Sequence, residues 1–166
     1  DETTLSYDKL ALATGSRPRT LKVPGADAPN VYTLRTIADS DVLAQVLRTE
    51  QRLVIIGAGW IGLEVAAQAR ARGVDVTVLE SAPLPLIGAL GPEMGTFYAD
   101  VHRAHGVDLR TETTVEAILT EEGNATGVRS TPRCTSSIPP RGLPSSSRAA
   151  AFVSTRWDTA PTPRCS

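Results

Sequence analysis

Cysteines and long apolar runs are scarce in this sequence of 166 residues, and each scarcity argues against a class of protein. Only Cys134 and Cys165 occur, and their wide separation fits neither a metal-ligand pair nor a redox pair. No apolar run approaches the roughly 18 residues of a membrane helix. The acidic, polar N-terminus is also unlike a signal peptide. We therefore expect no membrane association and a cytoplasmic location.

An excess of charge is also missing, since 17 basic residues are balanced by 18 acidic ones. Lysine is rare, with Lys9 and Lys22 as the chain's two examples. The basic residues form no stripe along the sequence, so a nucleic-acid surface is not expected. The expected partners are small molecules or proteins, bound by about one domain of ordinary size.

The middle of the chain does contain a regular alternation of strand and helix patterns. The continuous β-branched run at 53–56 is typical of a parallel strand buried on both faces. A helix at 61–72 and a second strand at 74–79 follow it. Further helices are predicted at 38–47, capped by Asp39 or Ser40, and at 92–105. Shorter strands are predicted in YDKLALATG, in VYTLRT, at 107–109 and at 115–119, with a turn at 121–124. This order predicts an α/β fold.

The segment GAGWIG places three glycines between the predicted strand and helix, in the G-x-G-x-x-G spacing of dinucleotide-binding turns. Gly57 would allow the tight turn, Gly59 would let the backbone approach a pyrophosphate, and Gly62 would let the helix pack closely on the strand. The amides at the N-terminus of the helix would then receive the phosphate charge.

Glu80 follows the second predicted strand, 18 residues after Gly62. A carboxylate there can accept hydrogen bonds from both hydroxyls of an adenosine ribose, which favours NAD over NADP. No arginine follows directly in SAPLPLIGAL to receive a 2'-phosphate. A short-chain dehydrogenase is disfavoured, because no tyrosine stands four residues before Lys9 or Lys22.

From Ser130 onward the composition changes, and 24 of the last 37 residues are Ser, Thr, Pro or Arg. No apolar period is evident there, which predicts a disordered and dispensable tail. The alternative is an out-of-frame translation.

Several segments together resemble the FAD-dependent pyridine nucleotide oxidoreductases, in particular the ferredoxin, rubredoxin and putidaredoxin reductases. They are YDKLALATGSRPR, VPGADAPNVYTLRTIADSDVL, VIIGAGWIGLEVAA, VTVLESAPLPL, LGPEMG and HRAHGVDL, in unbroken order over 5–128. The resemblance implies an enzyme that transfers hydride from NADH to FAD and then electrons to a ferredoxin-like iron–sulfur protein. It implies no catalytic acid, nucleophile or metal from the protein itself.

The resemblance also implies site residues. The segment ATG would lie beside the flavin nucleotide, Glu64 would lie near the nicotinamide and flavin, and Trp60 would shield the site or only pack. His102 and His105 are expected to be solvated on a surface helix. The complete predicted set of cofactor-binding residues is Ala13, Thr14, Gly15, Gly57, Ala58, Gly59, Trp60, Ile61, Gly62, Glu64 and Glu80.

Some features of the family are absent from this sequence. Leu84 and Gly88 stand where members commonly carry arginines, and neither an N-terminal FAD glycine motif nor a later Gly-Asp segment is present. The FAD site is therefore expected to be incomplete, in a chain that is a fragment. The expected division is a partial FAD-binding segment at 1–36, an incomplete Rossmann-like NAD-binding domain at 37–129 and the tail at 130–166. A catalytically silent nucleotide-binding remnant and a fragment of a disulfide reductase remain as alternatives.

Overall fold

The computed structural model describes residues 4–11, 13, 15, 17–18, 20–132 and 149–153. Within this part of the chain, strands and helices alternate over most of the length. The helices are α1 (Ile37–Thr49), α2 (Trp60–Ala71) and α3 (Ile87–Ala104). The strands are β1 (Val31–Tyr32), β2 (Arg52–Ile56), β3 (Asp75–Leu79), β4 (Asp108–Arg110), β5 (Thr113–Glu121), β6 (Asn124–Pro132) and β7 (Ala149–Val153).

Five strands form a parallel sheet in the order β1, β7, β2, β3, β4. The main core lies between this sheet and the helices, and Leu53, Ile55 and Val78 are among its fully buried side chains. The predicted α/β class and its Rossmann-like βαβ unit are confirmed, because β2 and β3 pair in parallel around α2.

Strand β7 corrects the prediction of a structureless tail. It lies between β1 and β2, and Phe152 is fully buried in the main core. A strand buried on both faces needs no polar alternation, so the five apolar residues AAAFV suffice even inside a polar segment. Strand β6 also continues through Pro132, past the predicted boundary at 130. The rest of the predicted tail, 133–148 and 154–166, lies outside the described residues.

Strands β5 and β6 form an antiparallel hairpin that confirms the predicted turn at 121–124. Glu122 and Gly123 have φ values of 50° and 82°, as a two-residue hairpin turn of type I' requires. A second, smaller core joins this hairpin to the main sheet, and it contains Ala28, Ile56, Ile118, Ala125 and Val153.

Helix α1 begins one residue after Thr36, which is its N-cap in place of the predicted Asp39 or Ser40. The Thr36 side chain accepts from the backbone N–H of Asp39 at 3.2 Å, and the Asp39 carboxylate accepts from the N–H of Thr36 at 2.8 Å. This reciprocal capping box satisfies donors that the first turn leaves free. The backbone N–H groups of Thr36 and Arg35, which donate to Asp39, lower the pKa of its carboxyl.

Helix α3 begins at Ile87, five residues before the predicted start. Gly91 interrupts it with a φ of 78°, and Pro92 opens the second part, which agrees with the predicted proline in a first turn. Among the described residues, no helix has the length and apolar character needed to cross a bilayer.

The strand predicted near the start of the chain is not observed over 4–11. A strand needs a neighbour for its backbone hydrogen bonds, and these residues pair with no described strand. Leu5, Tyr7 and Leu10 are all exposed there.

Candidate functional site

The glycine turn leaves the carboxyl end of β2 at Gly57. This residue has a φ of 104°, in the region that favours glycine, and its N–H donates to the Leu79 carbonyl at 2.8 Å. The turn is therefore fixed to the end of β3, the strand that leads into Glu80.

The N-terminus of α2 presents free backbone donors beside this turn. Its N-cap, Gly59, has no side chain to accept from them, and no acidic residue occupies the first turn. The first N–H groups of a helix have no partner within the helix, and the helix dipole adds partial positive charge there. The amides of Trp60, Ile61 and Gly62 are therefore suited to an anion such as a phosphate.

Glu80 is almost completely buried, with 5% of its surface exposed. One carboxylate oxygen accepts from the N–H of Ala58 at 2.7 Å, and the other accepts from the N–H of Ala82 at 2.8 Å. The Ser81 hydroxyl donates to the second oxygen at 3.3 Å. Glu80 therefore ties the glycine turn to the loop after β3, a role that the sequence pattern did not predict.

Both backbone polar groups of Ala58 are hydrogen-bonded. Its N–H donates to Glu80, and its carbonyl accepts from the N–H of Leu86 at 3.2 Å. Leu86 has a φ of 53°, an uncommon conformation for a residue with a branched side chain. Ala58 itself is fully buried, so this predicted site residue belongs to the main core and anchors the turn there.

The remaining predicted residues of α2 lie in different environments. Gly62 is buried, Ile61 packs partly against the main core, and Glu64 is exposed. Trp60 is 46% exposed, and its ring meets the edge of Tyr98 with 6.2 Å between centroids. Trp60 thus covers the start of α2 and also packs against α3.

His102 corrects the prediction that both histidines are solvated. It is buried, with one ring nitrogen 2.9 Å from the Tyr98 carbonyl and the other 3.2 Å from the Leu63 carbonyl. It joins α3 to α2 just beyond the glycine turn. His105 is exposed, as predicted.

A cavity of about 310 Å³ brings the turn and the acidic residue into one space. Its walls include Gly57, Gly59, Glu80 and Ser81. Three further segments, which the sequence motifs did not identify, complete the lining: residues 20–22, residues 113–115 and Val153 with its neighbours Ile56 and Leu79.

The segment predicted to lie beside the flavin is not part of this cavity. Ala13 and Gly15 are exposed, and Thr14 lies outside the described residues. A β-carbon at Gly15 would lie 3.6 Å from the Arg35 guanidinium. The structure therefore brings Gly57, Gly59 and Glu80 together and leaves Ala13 and Gly15 apart from them.

Comparison with known proteins identifies the family of the chain. The family model described as pyridine nucleotide-disulphide oxidoreductase matches residues 1–135. Rhodocoxin reductase from Rhodococcus erythropolis is 46% identical over 128 residues, which are 77% of this chain and 30% of that protein. Putidaredoxin reductase CamA from Pseudomonas putida is 44% identical over 118 residues, which are 69% of this chain and 28% of that protein.

Solved structures give the same result. A ferredoxin reductase from Rhodopseudomonas palustris superposes with a TM-score of 0.73 at 35% identity, covering 86% of this chain and 32% of that one. The reductase of a covalent putidaredoxin reductase–putidaredoxin complex gives 0.71 at 35% identity, over 91% and 35% of the two chains. This chain spans about 30% of the length of its curated relatives. By its sequence and its fold, the chain belongs to the pyridine nucleotide-disulphide oxidoreductase family.

Proposed function

We propose that this chain is the NADH-binding part of a flavoprotein reductase that passes electrons from NADH through FAD to a ferredoxin-like iron–sulfur protein. The observation that carries the proposal is the position of Glu80. It faces the same cavity as Gly57 and Gly59, and its hydrogen bond to Ala58 holds the turn in place.

The residues fit a dinucleotide with an unphosphorylated adenosine ribose. The uncapped amides of α2 would hold the pyrophosphate, and the Glu80 carboxylate would accept from one ribose hydroxyl. Its two oxygens offer about four acceptor positions, and Ala58, Ala82 and Ser81 use three of them. A 2'-phosphate would meet the same buried carboxylate as a like charge, which favours NADH over NADPH.

The chemistry that the two cofactors supply is hydride transfer from NADH to the flavin. The task of this chain's own residues is to bind and orient the nucleotide. Of the segment predicted to lie beside the flavin, Ala13 and Gly15 are exposed and neither lines the cavity. The proximity of the segment ATG to FAD, and of Glu64 to the nicotinamide, therefore stay predictions.

The ferredoxin-like acceptor is supported by the names of the relatives. Rhodocoxin reductase and putidaredoxin reductase are 46% and 44% identical to this chain over the matched residues, and one solved neighbour is a reductase bound to putidaredoxin. A persulfide reductase, which represents the alternative thiol chemistry, matches at 25% identity. A cytoplasmic location also stays a prediction.

A second candidate function is nucleotide binding without turnover by this chain alone. The specific observation in its favour is that the cavity contains Gly57, Gly59 and Glu80 but neither Ala13 nor Gly15. Steady-state oxidation of NADH with excess FAD and an artificial acceptor separates the two. Under this second candidate the rate equals that of free FAD, and a clearly higher rate would contradict it.

Nucleotide binding itself is tested by titrating the full chain with NADH and NADPH and following NADH fluorescence. Gly59→Val is the informative variant, because Gly59 has a φ of −80° and a ψ of −175°, an extended conformation that valine adopts readily. The fold should survive, while the added side chain blocks the approach of a pyrophosphate. Gln68→Ala, on the exposed side of α2 and outside the lining of the cavity, is the matched control and should bind as the unaltered chain does. Tighter binding of NADPH than of NADH, or full binding by Gly59→Val, would contradict the assignment.

A further inference from the structure

Lys22 is the cationic residue among those that line the cavity, and Glu80 is the acidic one. Lys22 comes from the loop before β1, far from the glycine turn in sequence. It belongs to a segment, residues 20–22, that lines the cavity together with the turn and the loop after β3.

The two charged residues of the cavity, Glu80 and Lys22, differ in burial and in hydrogen bonding. The Glu80 carboxylate is buried and is engaged by the N–H groups of Ala58 and Ala82. Lys22 is exposed, and its ammonium forms no ion pair or hydrogen bond with the rest of the described chain. The cation is therefore available to an anion that enters the cavity, while the carboxylate is already hydrogen-bonded to backbone N–H groups.

The cavity is small enough for the charge of Lys22 to attract an anion bound inside it. A volume of about 310 Å³ corresponds to a space about 7 Å across. This is close to the Debye length of about 8 Å at physiological salt, so a charge on the wall is only partly screened from a bound anion. Lysine is a mobile point charge that suits phosphate, and a pyrophosphate brings two negative charges.

We infer that Lys22 is a binding residue for the pyrophosphate of the dinucleotide, acting from the segment before β1 that lines the same cavity as Gly57 and Gly59. The inference rests on the proposed NADH binding and adds a contact that the dinucleotide motif does not contain. The uncapped amides of α2 hold the phosphates from one side, and Lys22 attracts them from another. A contact between Lys22 and a 2'-phosphate is the competing assignment, and it would favour NADPH alone.

The test uses the full chain and the two lysines that the sequence provides. Lys22→Gln keeps most of the side chain and removes its charge, and Lys22→Arg retains the charge. Lys9→Gln is the matched control, because Lys9 lies in the exposed segment 4–11 and does not line the cavity. Dissociation constants for NADH and NADPH are measured by fluorescence titration at low and at physiological salt. Circular dichroism confirms that each variant is folded.

Lys22→Gln should weaken binding of both nucleotides by about two- to fivefold, the range that a solvent-exposed ion pair contributes. The loss should shrink at high salt, and Lys22→Arg and Lys9→Gln should bind as the unaltered chain does. Equal binding of NADH by Lys22→Gln and the unaltered chain would overturn the inference and leave the proposed function standing. A loss confined to NADPH would overturn it in favour of the 2'-phosphate. An unaltered chain that binds no NADH would refute the proposed function, and the inference with it.

Discussion

Replacing Glu80 by alanine should destabilise the chain even when no nucleotide is present. The carboxylate accepts from two backbone N–H groups, those of Ala58 at 2.7 Å and of Ala82 at 2.8 Å, in a position that is 5% exposed. Alanine at this position removes both acceptors. The donor of Ala58 is then left buried without a partner, because Ala58 is fully buried.

The expected size of the effect follows from these contacts. A hydrogen bond to a charged group contributes about 1.5 to 3 kcal/mol to stability. Losing two of them should lower the free energy of unfolding by about 3 to 6 kcal/mol, a large share of the total of about 5 to 15 kcal/mol for a domain. Glu80→Gln keeps one acceptor oxygen and turns an amide group toward the other donor, so about half of this loss is expected.

Urea denaturation of the full chain, followed by far-ultraviolet circular dichroism, measures the change. Glu64→Ala is the matched control, because Glu64 is an exposed acid of helix α2 and its removal should change stability by no more than about 0.5 kcal/mol. A loss below about 1 kcal/mol for Glu80→Ala would show that the carboxylate does not hold the turn. Its role would then be limited to the ribose.

Four further predictions concern the turn, the cap of α1 and strand β7. Gly57→Ala should lose about 1 to 2 kcal/mol of stability in the same assay, because Gly57 has a φ of 104°, and an unchanged value would contradict the strained turn. Thr36→Ala should lower the free energy of unfolding by about 1 kcal/mol through loss of the cap. The lowered pKa of Asp39 means that its ionised form stabilises the fold above its ordinary pKa of 3.8 and that this contribution is lost as pH falls through the folded value. The thermal midpoints of the chain and of Asp39→Asn should therefore differ at pH 6 and converge toward pH 3, and a gap that persists would contradict the capping box. Phe152→Ala should cost about 3 to 5 kcal/mol because Phe152 is fully buried, and a stability like that of the unaltered chain would show that β7 is not part of the sheet.

The βαβ unit could be predicted because its signals are local. The β-branched run of β2, the glycines of the turn and the position of Glu80 all fall within residues 52–80, and β2 and β3 pair in the expected parallel register. The hydrogen bond from Ala58 to Glu80 joins residues that are 22 apart. No spacing rule predicts it, because it depends on how the loop after β3 folds back toward the turn.

His102 was predicted wrongly for a different reason. The residue type suggested a solvated side chain, although the buried residues of α3 are Gly95, Ala99 and His102, at helical spacings of four and three. That spacing places His102 on the stripe that faces the core. The periodicity of the helix was therefore a better guide than the polarity of the side chain, and the Leu63 carbonyl supplies the partner that burial requires.

The residues that line the cavity come from two sources, the local dinucleotide motif and distant segments that the fold brings beside it. The dinucleotide motif supplies the backbone donors of the turn and the carboxylate of Glu80, and these would be similar in any chain with the same pattern. Lys22 and Val153 reach the same cavity from positions that lie before and after the βαβ unit, and Val153 does so because β7 inserts beside β2. A lining residue outside the motif can carry a different charge without changing the backbone conformation of the glycine turn. The strength of nucleotide binding should therefore depend on these distant walls, while the choice of an unphosphorylated ribose depends on Glu80.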